Sequence, residues 1–351
     1  MNAGAPERIG IWQTAFLGDA VLTLPLIAAL KERFPRAEIH FYVRAGLEGL
    51  FAAQPELAAV HGFAKRGAQR GLCSALCQGR SLEDQGFDLW LSAHTSLRSA
   101  LVAWASRIPR RIGYNRPWFN RLAYTETVPR DFARLEEIER LFQLLTPLGI
   151  GLPAPKARLV LPQAALDRAA MIWERELPAG EGPILGVHPG SAWPTKCWPG
   201  EYFSRVLDLA AAAGARLLLL AGPGEEGIAR AVLDWASPQA RARALDLSGR
   251  LSLPELAAVL GRVDAYLTND SGPMHLAWVQ DTPLVALFGP TTRALGFFPR
   301  GENSTVLERD LDCRPCGLHG HRRCPLKHHD CMREISPEQA WAALAPKLGL
   351  T

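Results

Sequence analysis

The chain has 351 residues, 48% of them apolar and 21% charged, with a formal net charge of +4. That length suits two domains of about 150–200 residues, and the balance excludes disordered and fibrous proteins. No stretch comes near 18 uncharged apolar residues, since residues 210–221 are broken by Gly214 and Arg216, and Pro6, Glu7, Gln13 and Asp19 interrupt any signal-peptide layout. A cytoplasmic protein is expected.

In chain order, residues 8–12 read as a strand, 20–34 as an apolar helix stopped by Pro35, and 38–43 as the next strand. This βαβ unit implies a parallel sheet. Residues 87–92 and 96–106 repeat the strand and helix signals. A proline-rich stretch, 147–162, and a helical connector, 164–177, precede a second series. Its strands are expected at 184–188, 216–221, 265–268 and 284–288, and its helices at 199–213, 225–236, 254–261 and 274–279. The reading is α/β, with a first domain at 1–165, a second at 166–335 and a terminal helix at 336–351. Two doubly wound sheets facing a central cleft would bind ligands at the carboxyl ends of their strands.

Charge is unevenly spread. Residues 44–121 hold 11 Lys and Arg against 5 Asp and Glu, whereas residues 151–351 hold 21 of each. A basic field in one half favours an anionic partner. No nucleic-acid module accompanies it, so a bulky anionic small molecule or a lipid headgroup fits as well as nucleic acid.

Three strand-to-helix junctions carry polar residues suited to chemistry. Gly18-Asp19 opens the first helix, where Asp19 can cap free N–H groups or act as a general base. The loop 188–196 offers Ser191 and Lys196 to an anion without the glycine–lysine spacing of a P-loop. The third junction, 268–275, places Asp270, Ser271, Gly272 and His275 at a helix start, where a phosphate could sit. Thr291 follows the next strand. No G-x-S-x-G elbow supports a serine hydrolase. The plain alternatives are a helix cap for Asp19, a surface lysine for Lys196 and a packing histidine for His275.

The strings GDAVLTLPLIAAL (18–30), HPGSAWPTKCWP (188–199), TNDSGPMHLA (268–277) and FGPT (288–291) occur in this order in the heptosyltransferase family of lipopolysaccharide glycosyltransferases, which the chain resembles over residues 8–345. The resemblance implies a GT-B fold of two Rossmann-like domains and inverting, metal-independent transfer. The donor would be ADP-L-glycero-D-manno-heptose, and the acceptor the lipopolysaccharide inner core at the cytoplasmic membrane face. It makes Asp19 the base that deprotonates the acceptor. Ser191, Lys196, Asp270, Ser271, Gly272 and His275 would hold the donor diphosphate, with Glu226 and Leu251 at ribose and adenine. Lys65, Arg66, Arg70, Arg98, Arg111 and Arg116 then become candidates for the acceptor's carboxylates and phosphates. The Thr-Asn-Asp-Ser-Gly string favours the enzyme adding the second heptose. A family member that adds the first heptose or a later sugar, one with another nucleotide sugar, and a silent binding module remain alternatives. In GT-B relatives the terminal helix crosses back to the first domain.

Cys313, Cys316, Cys324 and Cys331 stand apart from those motifs. Their spacing leaves a structural zinc site, reduced thiols and disulfides open. Cys197, beside Lys196, is expected to have a lowered thiol pKa.

Overall fold

The computed structural model describes residues 4–65, 67 and 69–350. The chain forms two compact units that meet at Leu161 and Pro162. In the first unit, strands β1 (Arg8–Gln13), β2 (Glu38–Arg44), β3 (Ala59–Phe63), β4 (Leu89–Ser92), β5 (Arg110–Tyr114) and β6 (Glu126–Val128) form one sheet in the order β3-β2-β1-β4-β5-β6. Every pairing is parallel. The second unit repeats the plan with β7 (Ile184–His188), β8 (Arg216–Leu219), β9 (Ala244–Asp246), β10 (Ala265–Asn269), β11 (Leu284–Phe288) and β12 (Ser304–Glu308), ordered β12-β11-β10-β7-β8-β9 and again parallel.

This order fixes where a ligand binds. In each sheet the first strand is central and the chain winds outward on one side before returning to the other. Strand order therefore reverses beside β1 in the first unit and between β7 and β10 in the second. Crevices open outside the carboxyl ends of the strands at such reversals. All three polar junctions found in the sequence lie there: residues 14–19 after β1, 189–196 after β7 and 270–275 after β10.

The single long helix expected over 20–34 is two, Leu17–Leu22 and Leu24–Arg33. Pro25 lacks the N–H that would continue the ladder, and Thr23 closes one helix and opens the next. The terminal helix, Pro337–Leu344, buries Ala340 and Leu344 in the second unit's core with Trp198 and Phe203, where its apolar side finds cover. Among the described residues no helix is long and apolar enough to cross a membrane.

Candidate active site

In the first unit Asp19 is the third residue of its helix, and its Oδ2 accepts the Phe16 N–H at 3.1 Å. The capping role is therefore real, and it leaves the carboxyl group poised. Burial raises its pKa from 3.8 to about 6, helped by the negative charge of Glu137 and opposed by the Phe16 N–H and the Arg130 guanidinium. Glu137 is itself the hub of a buried ionic cluster. Its Oε1 takes Arg130 Nη2 at 2.5 Å, and its Oε2 takes Arg140 Nε at 2.7 Å, with Glu137 and Arg140 wholly buried.

Arg130, the cation that acts on Asp19, also acts on His94. The His94 imidazole is pushed down to about 3 by burial and by the charges of Lys65, Arg130 and Arg98, so it is neutral at physiological pH. Its Nδ1 lies 3.0 Å from Ser99 Oγ and 3.3 Å from Thr14 Oγ1. Arg98 donates to the carbonyls of Lys65, at 2.8 Å, and Arg70, at 3.3 Å, bracing the loop that follows β3. Arg116 is exposed beyond the carboxyl end of β5. Arg66 lies outside the described residues. Arg111 is the second residue of β5, at the amino edge of the sheet and away from the carboxyl ends of the strands, and its guanidinium donates to the carbonyls of Ile108 and Ala123. Arg130, Glu137 and His94 escaped the sequence reading, because no motif marks a buried charge.

The second unit draws three loops onto one carboxylate. Asp270, at the end of β10, accepts Lys196 Nζ at 2.5 Å and Thr291 Oγ1 at 2.6 Å on the same oxygen, Oδ2. All three residues are buried. Lys196 is thus held as half of an ion pair, where the sequence suggested a free point charge. Asn269 ties the loop after β7 to the end of β10. Its Oδ1 accepts the Trp198 N–H at 3.0 Å, and its Nδ2 donates to the carbonyls of Pro189, at 2.8 Å, and Gly190, at 3.3 Å. Ser271 precedes the helix Gly272–Val279, and both Ser271 and Gly272 are half-buried at its start. Burial lowers the His275 pKa to about 4, leaving a neutral ring whose Nδ1 has no hydrogen-bond partner. A helix N-terminus beside an ammonium group is suited to a phosphate.

The remaining expected contacts lie in the segments that follow β7, β8 and β9. Ser191 is half-buried, with its hydroxyl 3.5 Å from the Trp193 nitrogen. Glu226 accepts the Gly224 N–H at 2.8 Å, and Leu251 is half-buried just before the helix Leu253–Leu260. Sequence reading passed over Glu225, whose Oε2 lies 3.3 Å from His188 Nε2 and accepts the Gly222 N–H at 3.1 Å. The pairing of Thr291 with Asp270 was equally hidden, although its loop had been placed on the same rim.

Cys313, Cys316, Cys324 and Cys331 are free thiols. Among the described residues no group of three or more His, Cys, Asp or Glu is arranged to hold a metal ion, and none of the four cysteines is in a disulfide. The neighbouring histidines are engaged elsewhere: His321 Nε2 lies 3.1 Å from Cys316 O, and His329 Nε2 lies 2.7 Å from Thr195 O. Cys197 also departs from expectation. Burial and the Glu225 charge push its thiol up to about 11, while the cation of Lys196 faces Asp270.

Comparison with known proteins gives this geometry a context. The family model described as glycosyltransferase family 9 (heptosyltransferase) matches residues 76–350. Lipopolysaccharide heptosyltransferase 3 of Escherichia coli is 27% identical over 287 residues, covering 79% of this chain and 82% of that protein. Among solved structures, a glycosyl transferase family 9 protein from Veillonella parvula superposes with a TM-score of 0.86, at 22% identity, over 99% of this chain and 98% of its own. The E. coli ADP-heptose lipopolysaccharide heptosyltransferase II gives 0.79 at 22% identity, over 97% of this chain and 98% of its own. At such identities the structural likeness is one of fold, and the fold is GT-B.

Proposed function

Because the chain belongs to glycosyltransferase family 9, the heptosyltransferases, we propose that it moves L-glycero-D-manno-heptose from ADP-heptose to the lipopolysaccharide inner core, with inversion and without a catalytic metal. One observation carries this reading. A carboxyl group sits at the reversal of the first sheet with its pKa raised to about 6, which suits a base that must gain and lose a proton near neutrality.

In the proposed reaction Asp19 takes the proton of an acceptor hydroxyl as that oxygen attacks the anomeric carbon. The bond from that carbon to the distal phosphate oxygen breaks, and ADP leaves with the bonding electrons. A single displacement from the face opposite the leaving group inverts the centre. Negative charge growing on ADP meets Lys196 and the start of the helix Gly272–Val279, with Ser191, Ser271, Gly272 and His275 as further donors. Asp270, a carboxylate, serves by holding Lys196 and Thr291. Glu226 and Leu251 border the nucleoside. Lys65, Arg66, Arg70, Arg98 and Arg116 receive the acceptor's anionic groups, joined by Arg130, while Arg111 takes no part.

A lipid-linked acceptor brings the protein to the cytoplasmic face of the inner membrane. In support, Trp118 and Leu122 are more than 70% exposed and Trp104 is 58% exposed. Leu122 and Trp104 share one surface depression with Arg80, Arg107 and Arg111. An indole ring beside guanidinium groups, of which Arg107 pairs with Glu83, suits an anionic bilayer surface.

The Thr-Asn-Asp-Ser-Gly string favours addition of the second heptose, while the similarity to E. coli heptosyltransferase 3 supports a later heptose as the second reading. Calorimetric titration with ADP, UDP, GDP and NAD, each with and without EDTA, tests the donor. ADP should bind selectively, and EDTA should change nothing. A preference for UDP or GDP overturns the donor, and the absence of binding favours a silent module.

A further inference from the structure

The stretch 313–332 stands outside the residues proposed to meet substrate, yet its polar atoms grip two of the loops that carry them. On the Lys196 side it clasps Thr195. The Thr195 hydroxyl donates to His321 O at 2.9 Å and accepts the His321 N–H at 2.7 Å, and the Thr195 N–H reaches the same carbonyl at 3.2 Å. His329 Nε2 meets Thr195 O at 2.7 Å, and His319 stacks on Trp193 with centroids 6.2 Å apart. Gly320 is pressed against this loop. A Cβ there would lie 2.7 Å from Trp193 Cβ and 3.0 Å from both Lys196 Cγ and Thr195 Oγ1.

On the Thr291 side the grip is a guanidinium. Arg314, with 3% of its side chain exposed, donates to the carbonyls of Gly289, Phe288 (3.1 Å) and Thr291 (2.7 Å) and to Glu308 Oε2 (2.9 Å). The Cys316 N–H adds a bond of 2.9 Å to Pro290 O. Lys196 lies in a single 3-10 turn, and Thr291 lies in the loop between β11 and another such turn at Arg293–Leu295. Regular structure therefore fixes neither side chain.

We infer that residues 313–332 are a positioning element for the diphosphate site, setting the separation of the Lys196 and Thr291 loops so that both side chains converge on Asp270 Oδ2. A carboxylate oxygen accepts two donors at 2.5 and 2.6 Å only when both loops are placed to within a few tenths of an ångström. Thr195 and Arg314 are positioning residues, acting through Lys196 and Thr291 respectively. The inference rests on the reading of that cluster as the donor diphosphate site.

Thr195→Val keeps the shape and removes both hydroxyl bonds, while Gly320→Ala pushes on Lys196 from the other side. Each should weaken ADP binding by about 10-fold, the scale of one or two lost hydrogen bonds, and lower kcat while leaving acceptor KM and the melting temperature in place. Thr195→Ser, which keeps the hydroxyl, should restore parental binding. Variants that bind ADP as the parent does overturn the inference. So does affinity lost only in step with melting temperature in both variants, which assigns the segment to stability. A parent protein that fails to bind ADP refutes the reading of the site itself, and is seen before any variant is made.

Discussion

Replacing Asp19 by asparagine should trade activity for stability, with a size and a pH window set by its surroundings. The carbonyl oxygen of the introduced amide can still accept the Phe16 N–H, so the helix start survives. What disappears is the cost of holding a carboxylate there. A pKa raised from 3.8 to about 6 corresponds to about 3 kcal/mol, discounted to about 2–3 kcal/mol for the part of the carboxyl group open to solvent. The sign follows from linkage. Well below 3.8, by about pH 3, the carboxyl group is protonated in the folded and the unfolded chain, and the substitution gains nothing. Above pH 6 it is ionised in both, the folded state bears the full cost, and the variant is the more stable protein. Urea unfolding at pH 3 and pH 8 reads this directly, with a gain at pH 8 alone. Transfer should fall by roughly 10²- to 10⁴-fold, and the parent's kcat/KM should rise with pH through about 6 as the base ionises. A variant that still turns over, or is no more stable than the parent at pH 8, refutes the reasoning.

Lys196→Ala leaves the Asp270 carboxylate facing the proposed phosphates with only Thr291 to pair it. ADP affinity and kcat should both fall by about 10-fold or more, and unchanged values in calorimetry and turnover would return Lys196 to a structural role. Glu137→Ala strips the partner from Arg130 and Arg140. It should cost about 3–5 kcal/mol in urea unfolding, because unpaired buried charge is expensive. The same change removes an anion that raises the Asp19 pKa, so in any folded fraction the acid limb of kcat/KM should move below 6. Joint replacement of Trp104 and Leu122 by alanine should release the protein from sedimenting anionic vesicles while ADP binding stays parental. Equal sedimentation of variant and parent would show that this face does not meet the bilayer.

The strands that could be read from the sequence are those buried on both faces. β7, β10 and β11 are buried at every residue, and each shows an apolar run, complete in β11 and ending at His188 in β7 and at Thr268 and Asn269 in β10. β9 and β12 are half-buried throughout and β3 is exposed at Gly62, so no such run marks them. The two arginines at the start of β5 look like a surface loop until their partners, Glu126, Ala123 and Ile108, are seen. The site divides in the same way. Strand-to-helix junctions were legible because local sequence creates them, and Asp270 and Lys196 were found as members of separate strings. Their pairing across 74 residues was not legible, because Lys196 as a bare letter carries no sign of the carboxylate it faces. The expectation for Cys197 failed for that reason, since its environment is set by burial and Glu225 rather than by its neighbour in sequence.

The two units use the same place in the same topology for opposite electrostatic ends. At the first reversal a carboxyl group sits among buried charges whose effects oppose one another, Glu137 raising its pKa and Arg130 lowering it, so that burial decides the outcome. At the second reversal a carboxylate is the fixed point, and its partners are brought to it. A carboxylate placed beside an incoming diphosphate would repel it were its charge not matched. Lys196 supplies the match, and the shared oxygen turns the pair into a geometric constraint on Thr291 as well. This accounts for an aspartate in a turn that otherwise collects anion donors. It also fits the way the stretch 313–332 grips the Thr195 and Thr291 loops rather than Asp270, which directly follows β10 and is tied to β11 by its N–H on Leu287 O.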